Sequence, residues 1–273
     1  MLSVNTNTSA MTALQYLNQT NAQLSQTENE VNTGLAVASA KDDGATFAIA
    51  QDMRGDVAGY SAVTESLNRG TSAVDVAMSA GQSISDLLIQ MKQQALSASD
   101  ESLSTADRQA MNDDFTALRD QISSIVSNAT FNGFDLIDGS TTQITALASS
   151  DGTQHITVAA QTMTLGALSL SGATIGTQTS ASSMIATIET ALNSVDAKLD
   201  NLSSGGKKFS IQLSFVSQLS DTVTTGIGNL VDADMATESA QLTALQTKQQ
   251  LGVQALSIAN QSPEIILSLF KGS

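Results

Sequence analysis

A chain that does chemistry with its own side chains needs a base, a nucleophile or a set of ligands that converge, and this sequence offers few. It carries a single histidine, His155, and no cysteine, so neither a thiol–imidazole dyad nor a His/Cys metal site can be assembled. His155 falls in the alternating stretch His155-Ile156-Thr157-Val158, where an exposed strand residue is the expected role. The carboxylate clusters are Asp42-Asp43, Asp113-Asp114 and Asp232-Ala233-Asp234. Asp113 and Asp114 are neighbours on a helix and point apart. Asp232 and Asp234 precede an apolar-periodic segment, where acidic residues suit a helix N-terminus. Lys41, beside Asp42 and Asp43, stands where a terminal segment joins a long helix, the place for a conformational joint. No HExxH, GxSxG or phosphate loop occurs, and Ser204-Gly205-Gly206-Lys207-Lys208 lacks the spacing of a phosphate cradle. The expectation is a chain with no catalytic residues, no metal and no cofactor.

Composition agrees. Over 273 residues, 26 acidic against 11 basic side chains leave a formal charge of −15, which disfavours nucleic acid and anionic membrane surfaces. No apolar run is long enough to span a bilayer, so no membrane insertion is expected. Residues 1–27 show neither a basic n-region nor an apolar h-region, so no cleavable signal is expected, and the lack of cysteine fits either a cytosolic protein or one exported by a route that avoids redox chemistry. Apolar residues make up 41% but aromatics only 3%, with one proline. Ala, Leu, Ile and Val must therefore do the packing, in long helices that meet along narrow seams rather than around a thick core.

The elements that would position these residues follow from period. Ile188, Val195, Leu202, Phe209, Val216 and Val223 recur every seven residues, with Ile185, Leu192 and Leu199 one turn earlier, which predicts one helix over 182–226. Such a helix is on the order of 65 Å long and needs a partner along its length. A second long helix, 45–99, supplies the rows Tyr60, Leu67, Val74, Leu88 and Val63, Ala77, Ile84, Met91, interrupted by Gly81 and Gly70. Ser104-Thr105-Ala106-Asp107 resembles a capping box and opens a third helix over 105–129. Phe131-Asn132-Gly133 and Asp138-Gly139 carry turn chemistry. From 139 to 188 the text turns to Ser, Thr, Gly and β-branched residues, with His155–Val158 and Met163-Thr164-Leu165 expected as short strands at the far end of a helical rod and a hairpin turn at Asp151-Gly152. Gly205 and Gly206 sit inside the heptad row, at a cost of about 1 kcal/mol each, and mark close helix packing or a local bend.

Both ends carry weaker seams. Leu14, Asn21, Glu28 and Leu35 form one row and Leu17, Leu24 and Val31 another; in 232–268 the rows are Met235, Leu242, Leu256 and Leu251, Ile258, Ile265. The polar Asn21 and Glu28 cost stability and fix register. Each terminal segment alone is marginal, so both are expected to be frayed in a monomer and ordered in an assembly.

Several motifs, in order, resemble the bacterial flagellins: Asn5-Thr6-Asn7, then Ser39-Ala40-Lys41-Asp42-Asp43-Gly44-Ala45 followed by Ala48-Ile49-Ala50, then Phe131-Asn132-Gly133. At the other end stand Asp232-Ala233-Asp234-Met235-Ala236-Thr237-Glu238, Gln249-Gln250, Ala259-Asn260-Gln261 and Leu267-Ser268-Leu269-Phe270. The resemblance covers 1–138 and 182–273. It implies a mainly α fold: a long antiparallel coiled-coil rod with a small β-hairpin region at one end and paired terminal helices at the other. The implied domains are an inner-tube helix at 1–43, rod segments at 44–138 and 182–229, a short variable region at 139–181, and a second inner-tube helix at 230–273.

The implied function is a filament subunit for swimming, exported unfolded and folded at the filament tip when its terminal helices dock. The implied partners are further copies of itself, other flagellins, an export chaperone with the export apparatus, and the cap and junction proteins. Residues expected at the inner tube are Leu14, Leu17, Leu24, Leu35, Leu242, Leu256, Ile258 and Phe270, and in the rod core Leu67, Val74, Leu88, Ile188, Val195, Leu202, Phe209 and Val216. The chaperone is expected to cover Leu251, Ile258, Ile265, Ile266 and Leu269, and the apolar run Ile265-Ile266-Leu267-Ser268-Leu269-Phe270 is an aggregation hazard if left free. A vertebrate innate receptor senses many flagellins through a patch written roughly LQRxRELAVQ. Here Leu88–Ser97 places Gln90 at the first Arg, Lys92 at the second, and Gln93-Gln94 at the Glu-Leu pair, so weakened recognition is expected. The competing readings are the hook–filament junction protein, whose ends are similar, and a non-flagellar coiled-coil scaffold, which predicts charged e and g positions that the terminal stretches lack.

Overall fold

A computed structural model describes the backbone of residues 6–271 and the side chains of residues 6–261. Helices α1 (Thr8–Thr33), α2 (Gly44–Ala98), α3 (Thr105–Asn128), α4 (Gln178–Val231) and α5 (Met235–Lys271) alternate with the strands β1 (Thr130–Phe131), β2 (Phe134–Asp135), β3 (Gln143–Leu147) and β4 (His155–Ala159), all of which fall between α3 and α4. The fold is mainly α. It divides into two compact units, one made of Met1–Gly55 with Val223–Ser273, the other of Asp56–Thr222.

Side-chain caps set where the helices start. Asn7 Oδ1 accepts from Ala10 N at the head of α1, and Asp43 Oδ1 accepts from Ala45 N and Thr46 N at the head of α2. Ser104 Oγ accepts from Asp107 N at 3.1 Å. The shorter Asp107 closes the box onto the Ser104 hydroxyl at 2.7 Å instead of reaching the backbone N–H that a Glu would take. α4 starts at Gln178, four residues earlier than its heptads indicate, because Thr177 Oγ1 accepts from Ser180 N and caps it there.

The core of the 56–222 unit is the meeting of α2, α3 and α4. Leu67, Val74 and Leu88 of α2, Phe115 and Ile122 of α3, and Ile188, Val195, Leu202, Phe209 and Val216 of α4 are all fully buried. At the breaks in the α2 rows, side chains of α4 occupy the space the glycines leave. The Phe209 ring stands 3.0–3.4 Å from where a Cβ on Gly70 would lie, and Leu199 Cδ2 stands 2.7 Å from the same point on Gly81. A side chain at either glycine would displace its partner.

The irregular segment differs from its sequence pattern in three ways. β3, Gln143–Leu147, pairs antiparallel with β4 in the register Gln143↔Ala159 to Leu147↔His155, whereas Met163-Thr164-Leu165 forms no strand. Met163 instead donates one backbone hydrogen bond to Ile137 O at 2.7 Å and buries its side chain, so its apolar character reflects anchoring in the core, not a sheet face. Gly205 admits Val158 of β4, not a second helix; only Gly206 faces helix α2, with Val74 Cγ1 at 3.5 Å. Finally, the hairpin lies along the flank of the long helices: Leu147 N donates to Ser66 Oγ, Gln212 Nε2 to Ala148 O, and Ser150 Oγ to Asp56 Oδ1. Its turn carries Gly152 at φ 70°, and the tighter β1–β2 turn carries Asn132 at φ 51° and Gly133 at φ 81°.

Among the described residues no helix is long and apolar enough to cross a membrane, and no group of three or more His, Cys, Asp or Glu side chains could hold a metal.

Candidate assembly surface: the α1–α5 pair

Helices α1 and α5 pair antiparallel. Asn7 Nδ2 donates to Ala259 O at 2.7 Å, Leu17 lies 3.2 Å from where a Cβ on Gly252 would be, Gln249 Nε2 donates to Asn21 Oδ1 at 2.8 Å, and Leu35 bridges Asp232. The alternation of exposure along each helix gives the seam. On α1 it is Ala10, Ala13, Leu17, Thr20, Leu24, Thr27 and Val31; on α5 it is Glu238, Leu242, Leu245, Gln249, Gly252, Leu256 and Ala259. Both run in the 3,4 spacing of a heptad seam. Leu24, Thr27 and Leu245 are its most buried members.

This seam corrects the sequence pattern. The row Leu17, Leu24, Val31 faces α5, but in the other row Leu14 is exposed, Glu28 points to solvent, Asn21 reaches Gln249, and Leu35 bridges Asp232 at the joint. On α5, Leu242 and Leu256 face α1, whereas Leu251 and Ile258 are 60% and 65% exposed. The true second row is Glu238, Leu245, Gly252, Ala259. Sequence reasoning missed it because only Leu245 in it is a large apolar residue; the signal available was Gly252 in heptad register with Leu245. Phe270, Ile265, Ile266 and Leu269 have side chains outside the described residues, as does Asn5.

The outer faces of the pair are apolar in places that the described residues leave exposed. Met11, Leu14 and Tyr16 on α1 and Leu251, Val253 and Ile258 on α5 are all more than two-fifths exposed. Met11 and Leu14 line a hollow of about 520 Å³ with Thr8, Thr12, Gln15 and Asn18.

At the joint, Gly34 at φ 72° ends α1, its N–H donating to Glu30 O. The chain then doubles against 231–233: Ala36 N donates to Val231 O at 2.7 Å and Ala233 N to Gly34 O at 3.0 Å. Asp42 Oδ2 accepts from Ala38 N, Ser39 N and the Ser39 hydroxyl, and Lys41 is exposed. The carboxylates are thus turn and cap groups. Hydrogen bonds from the Thr46 hydroxyl and backbone hold the Asp43 carboxyl below its usual range, and those from Thr237 do the same for Asp234. Glu238 is pushed the other way, first by burial and then by Glu30 and Asp234 beside it.

Elsewhere, Gln90, Gln93, Gln94 and Ser97 of α2 line a groove of about 480 Å³ with Asp114, Ala117 and Leu118 of α3. Lys92 turns away from the groove set to pair with Glu189 at 3.2 Å. His155 is exposed on β4.

A capped helix pair with a closed inner seam and an open outer face is matched in sequence from end to end by known proteins. Residues 4–142 match the bacterial flagellin N-terminal helical region and residues 185–270 the bacterial flagellin C-terminal helical region. The chain belongs to the bacterial flagellin family. Flagellin FljM of Caulobacter vibrioides is 51% identical over 270 residues, 98% of each chain. A flagellin of Brucella melitensis is 40% identical over 285 aligned positions, covering all of both. Among solved structures, Bacillus cereus flagellin superposes with a TM-score of 0.50 at 20% identity over 55% of this chain and 88% of that one. A chain described as a flagellar hook-associated protein of Vibrio parahaemolyticus gives 0.57 at 14% identity, over 70% of this chain and 100% of that one. At those identities the structures speak for the fold alone. As a flagellin the chain is a structural subunit of the extracellular flagellar filament, which polymerises with its own kind in the service of motility.

Proposed function

We propose that the filament is built by burying the outer faces of α1 and α5 against other copies of the chain. The supporting observation is the placement of Met11, Leu14, Tyr16, Leu251, Val253 and Ile258 outside a seam that is already closed. Exposed apolar surface of this kind is costly in water and favours association. On this reading 1–43 and 230–273 form the inner tube, 44–138 and 182–229 the rod, and 139–181 the variable region. The proposed inner-tube residues then divide into two sets. Leu17, Leu24, Leu35, Leu242 and Leu256 close the joint and seam within a subunit, while Leu14 and Ile258 meet neighbours; Phe270 belongs to the same tube. Leu67, Val74, Leu88, Ile188, Val195, Leu202, Phe209 and Val216 keep the rod rigid.

Export and assembly follow from the same division. The subunit travels unfolded to the filament tip, past the junction and cap proteins, and its termini fold there by docking. A chaperone covers Leu251, Ile258, Ile265, Ile266 and Leu269 until export. The chain is a structural protein without enzymatic activity. The groove lined by Gln90, Gln93 and Gln94, with Lys92 held by Glu189, offers the vertebrate receptor neutral amides in place of bidentate guanidinium and carboxylate groups, so activation by purified monomer in a reporter assay is expected to be weak.

Seeded polymerisation on sheared filament fragments, followed by negative-stain electron microscopy, tests the assembly reading. The double variant Leu251→Ser, Ile258→Ser is expected to keep the monomer's circular dichroism and melting curve while failing to extend seeds. Extension at the wild-type rate would overturn it.

A further inference from the structure

The seam between α1 and α5 is closed by apolar and small residues over most of its length, but at the end next to the joint it brings two carboxyl groups together. Glu30 lies in the last turn of α1, where its backbone O accepts from Gly34 N, and Glu238 lies in the first turn of α5, where its N–H donates to Asp234 O at 2.9 Å. Glu238 occupies a seam position, in line with Leu245, Gly252 and Ala259. Its Oε2 is sealed from solvent and has no hydrogen-bond partner. An ionised carboxylate only accepts hydrogen bonds. Two of them in contact are therefore satisfied only when they share a proton, and repel when they do not.

We propose that the Glu30–Glu238 contact is a pH-sensitive latch on the α1–α5 pair, closed when the two carboxyls share a proton and loosened when both are ionised.

The groups around the pair give no cation at contact range. From α1, Gln26 Nε2 donates to Glu30 Oε1 at 3.0 Å, which occupies one oxygen without adding charge. From α5, Asp234 is a third negative group, committed to Ala236 N, Thr237 N and the Thr237 hydroxyl. Asp232, on the bridge beside the joint, is exposed and adds to the same sign. Lys248 lines the groove that Glu30 shares with Gln23, Thr27 and Leu245. It is ten residues from Glu238, about 15 Å along the helix, beyond the range at which an exposed ammonium neutralises a carboxylate in salt. The N-terminal dipole of α5 favours the ionised form. Burial and the facing acids outweigh it, because Glu238 is held above its ordinary value of 4.5, with burial the largest cause and Glu30 the next.

The sign follows from that direction. A carboxyl whose folded value is raised contributes stability that is fully present below its ordinary value and is lost as pH rises through the raised one. The helix pair is thus tightest near pH 4.5 and below, and loosens toward neutral and alkaline pH. This inference rests on the α1–α5 seam and stands whether or not the outer faces are the polymerisation surface.

The experiment is amide hydrogen exchange of the full-length monomer, by mass spectrometry, from pH 4.5 to 8, corrected for the intrinsic exchange rate. Peptides from 24–33 and 235–248 should show an opening constant that rises with pH, about tenfold for a carboxyl whose folded pKa lies one pH unit above its unfolded value. Glu238→Gln and Glu30→Gln should each flatten that dependence, since a neutral amide can donate to the remaining carboxylate at every pH. Peptides within 56–222 serve as the internal control. A carboxyl ¹³C titration of Glu238 in the unmodified protein is the second readout and should have a raised midpoint. An opening constant independent of pH, a dependence that survives Glu238→Gln, or an ordinary Glu238 midpoint would each overturn the proposal.

Discussion

The 56–222 unit and the α1–α5 pair are built from the same element, the heptad-spaced helix, and put it to opposite uses. In the first, each long helix meets more than one partner. Phe209 fills the space that Gly70 leaves, Leu199 fills the space at Gly81, and β4 presses Val158 into Gly205, so most of the large residues of the apolar rows end up buried. In the second, each helix has one partner and a seam of Ala, Thr, Gly and a few Leu, leaving Leu251 and Ile258 in water. The first unit closes on itself; the second leaves several large apolar side chains exposed. A helix pair of that kind gains little from burial and is marginal alone, which is what the proposed export and docking would require.

The largest expected effect is at Phe209. Phe209→Ala leaves a cavity over Gly70 and should destabilise the 56–222 unit by about 3–5 kcal/mol, read from its denaturant midpoint. Leu24→Ala, at the most buried leucine of α1, should cost about 2 kcal/mol, the low end for a buried leucine, and affect only the exchange of α1 and α5. A global loss of stability from Leu24→Ala would erase the distinction between the two regions. Smaller is Gly205→Ala. The added methyl meets Val158, and even after the gain in helix propensity the net cost should be about 1 kcal/mol. The double variant Gly205→Ala, Val158→Ala should recover part of it, and additivity in that cycle would show that the two do not touch. Smallest is Asn21→Ala, which removes the partner of Gln249 on a solvent-accessible edge. A cost of about 0.5 kcal/mol is expected, with register rather than stability as the main casualty, visible as altered cross-linking between cysteines placed at 17 and 252.

The two regions also differ in how far they could be read from sequence. Helices α2, α3 and α4 were legible because each carries a row of buried large apolar residues, so period and burial coincide there; Ile188 to Val216 is such a row. The α5 seam was not, because burial there falls on Gly252, Ala259 and Gln249, while the apolar period of Leu251 and Ile258 marks the outside. Periodicity reports where apolar side chains stand, and only a partner decides whether that face is a seam within the chain or a surface for another copy. The capping roles of Asp43 and Asp234 follow from local sequence, since each is followed three residues later by a threonine whose backbone and hydroxyl it receives. Gly205 could not be assigned, because the group that fills its missing side chain, Val158, is distant in sequence and lies on a strand.

The most direct test of the central claim is native-state hydrogen exchange of the full-length monomer across a series of low denaturant concentrations. Amides of α1 and α5 should open in a subglobal unit with a small denaturant dependence, well before amides of Leu67, Val74, Ile188 and Val195, which should exchange only through global unfolding. If the terminal helices and the 56–222 core instead exchanged through one common opening, the pair would be as self-sufficient as the core, and the contrast on which the assembly reading depends would be wrong.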